Sequence, residues 1–233
     1  MISVCMATYN GARFLREQVN SILTQLSDED ELVVSDDSST DDTVAILKSY
    51  NDKRIKIFPS DAHSPTYNFE NAIKHASGDY IFLSDQDDVW IEGRIREALK
   101  VHMEKGAGLV LVNGVLVDEN LNTKRDSYFR GNPIKPSFWG NLHHNPFQGS
   151  CMSFSKELLP YLLPFPKNLI MHDSWIGLVA YRHSTCEYIE TPLMKYRRYG
   201  VNFTATHKYN TWTKIAYRLR LVRHLYFKTK KHL

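Results

Sequence analysis

Apolar and polar positions in the first hundred residues switch between two periods. Residues 2–7 (Ile-Ser-Val-Cys-Met-Ala) are a short apolar run closed by Tyr9-Asn10-Gly11, which predicts a buried strand ending in a turn. Phe14, Leu15, Val19, Ile22, Leu23 and Leu26 then recur at helical spacing, predicting a helix over 13–25. Leu32, Val33 and Val34 mark a second strand over 31–35. It runs into Asp36-Asp37-Ser38-Ser39-Thr40-Asp41-Asp42, where Ser38 with Asp41 and Ser39 with Asp42 have the spacing of a capping box, so a helix is expected to start there and reach about Tyr50. A third strand is expected at 55–58. A helix over 66–76 carries Phe69, Ala72, Ile73 and Ala76 on one face and is expected to end at Gly78. Tyr80-Ile81-Phe82-Leu83 predicts a fourth strand, Asp85–Asp88 follows it, and a further helix is expected over 93–104.

Strands alternating with helices of ten to fifteen residues predict right-handed crossovers and an α/β fold, with a mostly parallel sheet covered on both faces. In such sheets ligands bind at the carboxyl ends of the strands. Three clusters fall at those ends: Ala7–Gly11, Asp36–Asp42 and Asp85–Asp88. They are distant in sequence and are expected to converge in space. After Gly106 the pattern changes. Residues 109–117 predict a long strand, and 118–150 an irregular stretch rich in Asn, Pro, Gly and aromatics. Residues 152–154 predict a strand, 156–163 a short helix closed by Pro164 and Pro166, and 173–181 a helix opened by Asp173.

Charge adds an asymmetry. Eleven of the 29 Lys and Arg lie in residues 191–233, which hold no Asp or Glu. The first 190 residues therefore carry 18 basic against 26 acidic side chains. An acidic body with a basic tail suits phosphates or an anionic surface. Cys5, Cys151 and Cys186 are odd in number and far apart, which suits buried free thiols in a reducing cytoplasm. No basic segment precedes the first apolar run, and no run approaches the ~20 residues that cross a bilayer, so neither a leader nor a spanning helix is expected.

Closely spaced carboxylates at a strand end repel one another unless a cation sits among them. Asp85–Asp88 therefore reads either as a site for Mg²⁺ or Mn²⁺ beside phosphate or as a solvated acidic turn capping the next helix. In an extended chain Asp85 and Asp87 share one side, which favours Asp87 as metal ligand, with Asp85 on the metal or a ribose, and leaves Asp88 as a helix cap. Asp37 suits a base or ribose edge, or a cap. Thr8, Tyr9 and their neighbours suit a nucleotide base, or a plain turn. Asp173 suits a general base toward an acceptor hydroxyl, or an N-cap. Arg197 suits a diphosphate, or a solvated basic turn. The pair His143-His144 lacks partners at metal-ligand spacing and is expected to be polar loop. No G-x-G-x-x-G fingerprint and no phosphate-binding P-loop is present.

Taken together, four stretches carry a resemblance: Val4-Cys5-Met6-Ala7-Thr8-Tyr9-Asn10-Gly11, Val34-Ser35-Asp36-Asp37-Ser38-Ser39-Thr40-Asp41, the run from Gly78 to Trp90 containing Ser84-Asp85-Gln86-Asp87-Asp88-Val89-Trp90, and His172-Asp173-Ser174-Trp175. In order and spacing they resemble the inverting family 2 glycosyltransferases of the GT-A fold, over roughly residues 2–205. The wording of the last two is similar to bacterial rhamnosyl- and hexosyltransferases of surface polysaccharide. The resemblance implies that Ala7 and Asp37 contact the base, that Asp85 and Asp87 form the D-x-D pair, and that Asp173 is the catalytic base. It implies a nucleotide-diphosphate sugar donor (a dTDP- or UDP-sugar) and a glycan acceptor, free or lipid-linked. Donor binding falls to residues 1–106 and acceptor binding to 107–205. Tyr199 stands where such proteins often carry a late His, so Arg197, Arg198 or His207 is expected to take over its contact.

Residues 209–233 place Trp212, Ile215, Leu219, Val222 and Tyr226 at helical spacing among Lys214, Arg218, Arg220 and Arg223. A basic tail helix of this kind suits peripheral binding at the inner face of the plasma membrane, or docking on the enzyme body. No nucleic-acid-binding motif accompanies the charge. Two rival readings remain at this point: a catalytically silent nucleotide-sugar-binding protein, and a sugar nucleotidyltransferase. The second is disfavoured by the single Gly and single Arg in Thr8–Arg13.

Overall fold

A computed structural model describes residues 1–135, 137–200 and 211–229. One continuous sheet of nine strands runs through it. Strands β1 (Ile2–Thr8), β2 (Glu31–Asp36), β3 (Ile55–Pro59) and β4 (Tyr80–Asp85) are mutually parallel in the order β3-β2-β1-β4. Helices α1 (Ala12–Leu23), α2 (Thr43–Ser49) and α3 (Pro65–His75) make the crossovers. Beyond β5 (Val89–Trp90) and α4 (Arg94–Lys105) the sheet becomes mixed. Strand β6 (Leu109–Val117) is followed by β7 (Thr123–Arg125), α5 (Tyr128–Gly131), α6 (Phe138–His143), β8 (Met152–Ser155), α7 (Leu159–Leu162), α8 (His172–His183), β9 (Cys186–Arg197) and α9 (Thr211–Thr229). β8 lies antiparallel between β4 and β6, and β9 pairs with β6 in parallel and with β5 antiparallel.

The period of two in the strands sorts their side chains onto two buried faces. Val4, Met6, Leu32, Val34, Phe82, Val110 and Val112 pack with Leu15, Val19, Ile22, Leu47, Ile95 and Ala98 of α1, α2 and α4. Cys5, Val33, Ile81, Leu83, Leu109 and Leu111 pack with Phe69 and Ile73 of α3, and with Trp175 and Leu178 of α8. Cys5, Cys151 and Cys186 are free thiols.

Several local expectations need correction. The double capping box does not form. Helix α2 starts only at Thr43, and Asp41 accepts the Thr43 N–H at 3.0 Å and the Ala12 N–H at 3.1 Å, tying the two loops together. Gly78 does not turn α3 off through a left-handed conformation. A Cβ there would lie 2.6 Å from the Ser3 backbone nitrogen, so Gly78 permits close approach to β1. Residues 156–163 divide into a 3-10 turn and the one-turn α7. Residues 118–150 contain β7, α5, α6 and the start of a 3-10 turn at Gly149–Cys151 rather than irregular chain throughout.

Candidate active site

The carboxyl ends of β1, β2 and β4 meet as expected, with the end of β9 beside them. Thr8 is buried, and its hydroxyl donates to Asp36 Oδ1 at 2.8 Å. It therefore buttresses the strand ends from within. Ala7 is half-buried and in register with Asp85 of β4 and Ser35 of β2. Tyr9 is 58% exposed at this edge and is free to present its ring to a ligand. Its backbone is clamped by a residue the sequence reading passed over: Gln86 accepts the Tyr9 N–H at 2.9 Å and donates to the Tyr9 carbonyl at 3.0 Å. A side chain on Gly11 would collide with Gln86, which explains that glycine.

Asp37 is buried, and its two oxygens accept the N–H groups of His63 and Ser64, each at 3.1 Å. Each carboxylate oxygen has a second lone pair, so these bonds aim the group without exhausting it. Asp37 thus ties down the loop that leads into α3, up to the N-cap residue Ser64, rather than capping a helix.

Residues 86 and 87 form a turn, so Asp85 and Asp87 do not share one side of an extended strand. They are nevertheless close enough to interact strongly. Burial pushes the Asp85 carboxyl up to about 7, the Asp87 charge adds to this, and the Asp173 charge adds a smaller share. Burial also raises Asp87, against the pull of a hydrogen bond from Tyr199 and the charges of Arg197 and Arg198. Asp88 is no helix cap. It is fully buried and accepts the backbone N–H of Arg197 at 2.9 Å, and burial beside Asp87 and Asp85 lifts its carboxyl well above the usual range.

Two arginines offset this charge from behind. Arg94, on the buried stripe of α4 with Ile95, Ala98 and His102, lies with its guanidinium carbon 4.1 Å from the Trp90 ring and donates to the Ser150 carbonyl. Burial lowers its proton affinity, to about 10, while the charges of Asp88 and Asp85 oppose that fall. Arg197 is only 1% exposed. Its Nε donates to the Asp87 carbonyl at 2.7 Å, its terminal nitrogens reach the Glu119 carbonyl and the Glu17 carboxylate, and its guanidinium carbon lies 4.2 Å from the Phe14 ring. The expectation of a diphosphate contact at Arg197 is therefore corrected: this side chain is a strut under the acidic turn. Arg198, half-buried beside it, keeps its charge near Asp87. Tyr199 donates its phenol to Asp87 Oδ2 at 2.8 Å, so the late motif does reach the acidic turn. His207, the third candidate there, lies outside the described residues.

Asp173 sits in the first turn of α8, one residue inside it, and Met171 is the N-cap residue. The N-cap reading of Asp173 is thus corrected. The carboxylate accepts the Ser174 N–H at 2.5 Å and the Asn145 amide at 3.5 Å, and burial pushes it up to about 7. Its neighbours explain the surrounding residues. Trp175 is fully buried and donates to the Leu162 carbonyl at 3.1 Å. His172 stacks on Phe69 at 4.2 Å, kept neutral by burial, and a Cβ at Gly149 would lie 2.5 Å from its Nε2.

Two neighbouring buried carboxylates with raised proton affinity, at a strand end and the turn that follows it, suit Mg²⁺ or Mn²⁺. Such ions take one or two protein carboxylates and leave the remaining positions to phosphate oxygens and water. Among the described residues no three His, Cys, Asp or Glu side chains form a metal cage by themselves.

The profile of the glycosyl transferase family 2 matches residues 3–163. The chain belongs to this family. The chain is 27% identical over 121 residues to the UDP-Glc:alpha-D-GlcNAc-diphosphoundecaprenol beta-1,3-glucosyltransferase WfgD of Escherichia coli, covering 52% of this chain and 48% of that protein. It is 35% identical over 102 residues to the dTDP-rhamnosyl transferase RfbG of Shigella flexneri, covering 40% and 35%. The chain thus spans about half or less of these relatives. Its fold is similar to that of S. aureus TarS 1–349 in complex with UDP-GlcNAc, with a TM-score of 0.78 at 19% identity, covering 96% of this chain and 66% of that one. A mannosyltransferase from Pyrobaculum calidifontis, in complex with GDP-Man and Mn²⁺, superposes with a TM-score of 0.61 at 22% identity, covering 82% and 54%. The family 2 chain described here therefore has the GT-A fold.

Proposed function

We propose that this chain moves a sugar, rhamnose or a hexose, from a dTDP- or UDP-sugar to a hydroxyl of a glycan acceptor, with inversion at the anomeric carbon, in bacterial surface polysaccharide synthesis. The observation that carries this reading is the placement of Asp173. It is a buried carboxylate poised near neutrality, close enough to feel Asp85 yet held on a separate helix. A base there can take a proton from an acceptor hydroxyl while the opposite wall holds the leaving nucleotide.

In this reading Tyr9 and Ala7 line the base, Asp37 holds its edge or the ribose, and Asp85 with Asp87 would hold Mg²⁺ or Mn²⁺. When bound, that ion supplies positive charge to the departing diphosphate. Asp173 deprotonates the hydroxyl, and Asn145 and the Ser174 N–H orient its carboxylate. Arg198 adds cationic character near the leaving group. Residues 1–106 serve the donor and 107–205 the acceptor. The acceptor is lipid-linked, and the chain works at the inner face of the plasma membrane through its basic tail. The lipid-linked substrate named for the E. coli relative supports this.

The test is Asp173→Asn. General bases contribute about 10²–10⁴-fold, so transfer should fall by that factor while nucleotide affinity stays unchanged. A variant that remains active removes Asp173 from the chemistry. Release of nucleoside diphosphate, rather than pyrophosphate from a triphosphate, separates this activity from nucleotidyl transfer. The anomeric configuration of the product, read by NMR, tests inversion.

A further inference from the structure

Helix α9 has two faces with different tasks. On its inner face Leu221 and Leu225 are buried in the core on the α8 side of the sheet. The Tyr217 hydroxyl accepts the Met171 N–H at 3.2 Å and lies 3.4 Å from the Met171 carbonyl, to which it donates. The next residue, Arg218, donates from Nε to the Leu142 carbonyl at 3.0 Å and from a terminal nitrogen to the His143 carbonyl. These two contacts bracket Asp173. Met171 is the N-cap residue of α8, and its carbonyl accepts the Trp175 N–H at 3.3 Å. His143 leads into Asn145, whose amide reaches both Asp173 and the Met171 sulfur. Two consecutive residues of α9 therefore hold the two segments that frame the carboxylate.

The outer face is apolar. Trp212 is 80% exposed and Leu219 66%, and Ile215 and Tyr226 are exposed with them. At 3.6 residues per turn these four positions fall on one narrow stripe, and the exposed Arg223 and Arg220 lie along one edge of it. Indole, phenol and aliphatic side chains beside guanidinium groups match the boundary between lipid headgroups and acyl chains, and basic groups favour anionic lipid. A second copy of the chain would instead oppose like charge to like, because residues 191–233 contain no acidic side chain.

We propose that α9 is a brace facing the membrane: its outer stripe seats on an anionic lipid bilayer, its inner face grips the Met171 and His143–Asn145 segments, and bilayer contact thereby firms the setting of Asp173. This rests on the reading that the chain works at a membrane, and it adds the residues that would do so and the link to the base. The ordering passes through contacts already made, so no new bond to substrate is required.

The test uses the full chain with vesicles of phosphatidylcholine mixed with phosphatidylglycerol, and of phosphatidylcholine alone. Co-sedimentation reads binding. Hydrogen–deuterium exchange of peptides covering 143–145 and 171–175 reads the brace. The chain should sediment with the mixed vesicles, and exchange in both segments should slow several-fold. Leu219→Glu should lose both effects. Tyr217→Phe should still sediment, but the slowing at 171–175 should disappear. Failure to sediment removes the membrane reading. Sedimentation without slowing, or undiminished slowing in Tyr217→Phe, removes the brace alone. Neither readout involves sugar transfer, so the activity of Asp173 is judged separately.

Discussion

The Tyr199 phenol donates a 2.8 Å hydrogen bond to Oδ2 of Asp87, joining the end of the last strand to the acidic turn. Tyr199 also packs its ring 5.0 Å from that of Phe14, so the hydroxyl is held in place from α1. A partner of this kind fixes the orientation of a ligating carboxylate, and losing one costs roughly 10–100-fold in metal affinity. Tyr199→Phe should weaken Mn²⁺ binding in the presence of UDP by about tenfold. Calorimetric titration checks this, and an unchanged affinity would mean that Asp87 is not a ligand.

Asp173 predicts how turnover follows pH. Burial lifts its carboxyl to about 7, and in the proposed mechanism the ionised form is the base. Turnover with saturating Mg²⁺ should therefore be flat above neutrality and fall about tenfold per pH unit below it. The low-pH limb should vanish from the residual activity of Asp173→Asn. A limb near the ordinary carboxylate range would show that Asp173 is not the titrating base.

Arg94 is a buried cation that faces Asp85 and Asp88 from behind. Replacing it with Leu removes that positive charge and leaves the buried Ser150 carbonyl without its charged donor, a loss that costs about 1–3 kcal/mol. Arg94→Leu should lower the denaturation midpoint accordingly, and Arg94→Lys should recover part of the loss. A neutral effect of Arg94→Leu in urea titration would refute this balance.

Asp85 and Asp173 also contribute a pH dependence to stability. Asp85 and Asp173 ionise near 3.8 when unfolded and near 7 when folded. Between these values the folded chain holds protons that the unfolded chain has released, so stability from these groups is full below about pH 4 and is lost as pH rises through 7. Without metal, the melting temperature should decline across that window once other groups are accounted for by the Asp85→Asn/Asp173→Asn double variant. Mn²⁺ with UDP should raise it more at pH 8 than at pH 5, because the ion binds the ionised form.

The parallel half of the sheet was legible because its strands are apolar runs between helices with clear stripes. The convergence of Ala7–Gly11, Asp36–Asp42 and Asp85–Asp88 followed from topology alone. The finer roles were less legible, because they depend on contacts between residues far apart in the chain. Arg197 read as a diphosphate contact or a solvated basic turn, since nothing local shows that Glu17, Glu119 and Phe14 surround it. Asp88 read as a helix cap because it precedes a helix, yet its partner is 109 residues away. Arg94 left one signal: an arginine on the same helical stripe as Ile95, Ala98 and His102 must be buried with them. The antiparallel position of β8 had no local signature, because a strand of four residues carries no direction in its composition.

The Gln86 clamp on Tyr9 bears on how such a protein could be re-engineered. The clamp binds both backbone groups of Tyr9 and fills the space above Gly11. The segment proposed to line the nucleobase and the turn that carries the carboxylates are thereby one inherited unit, although some 75 residues separate them. Grafting a new donor preference onto this scaffold should require exchanging 9–11 and 86 as a matched set, and a graft of either alone should misplace the other.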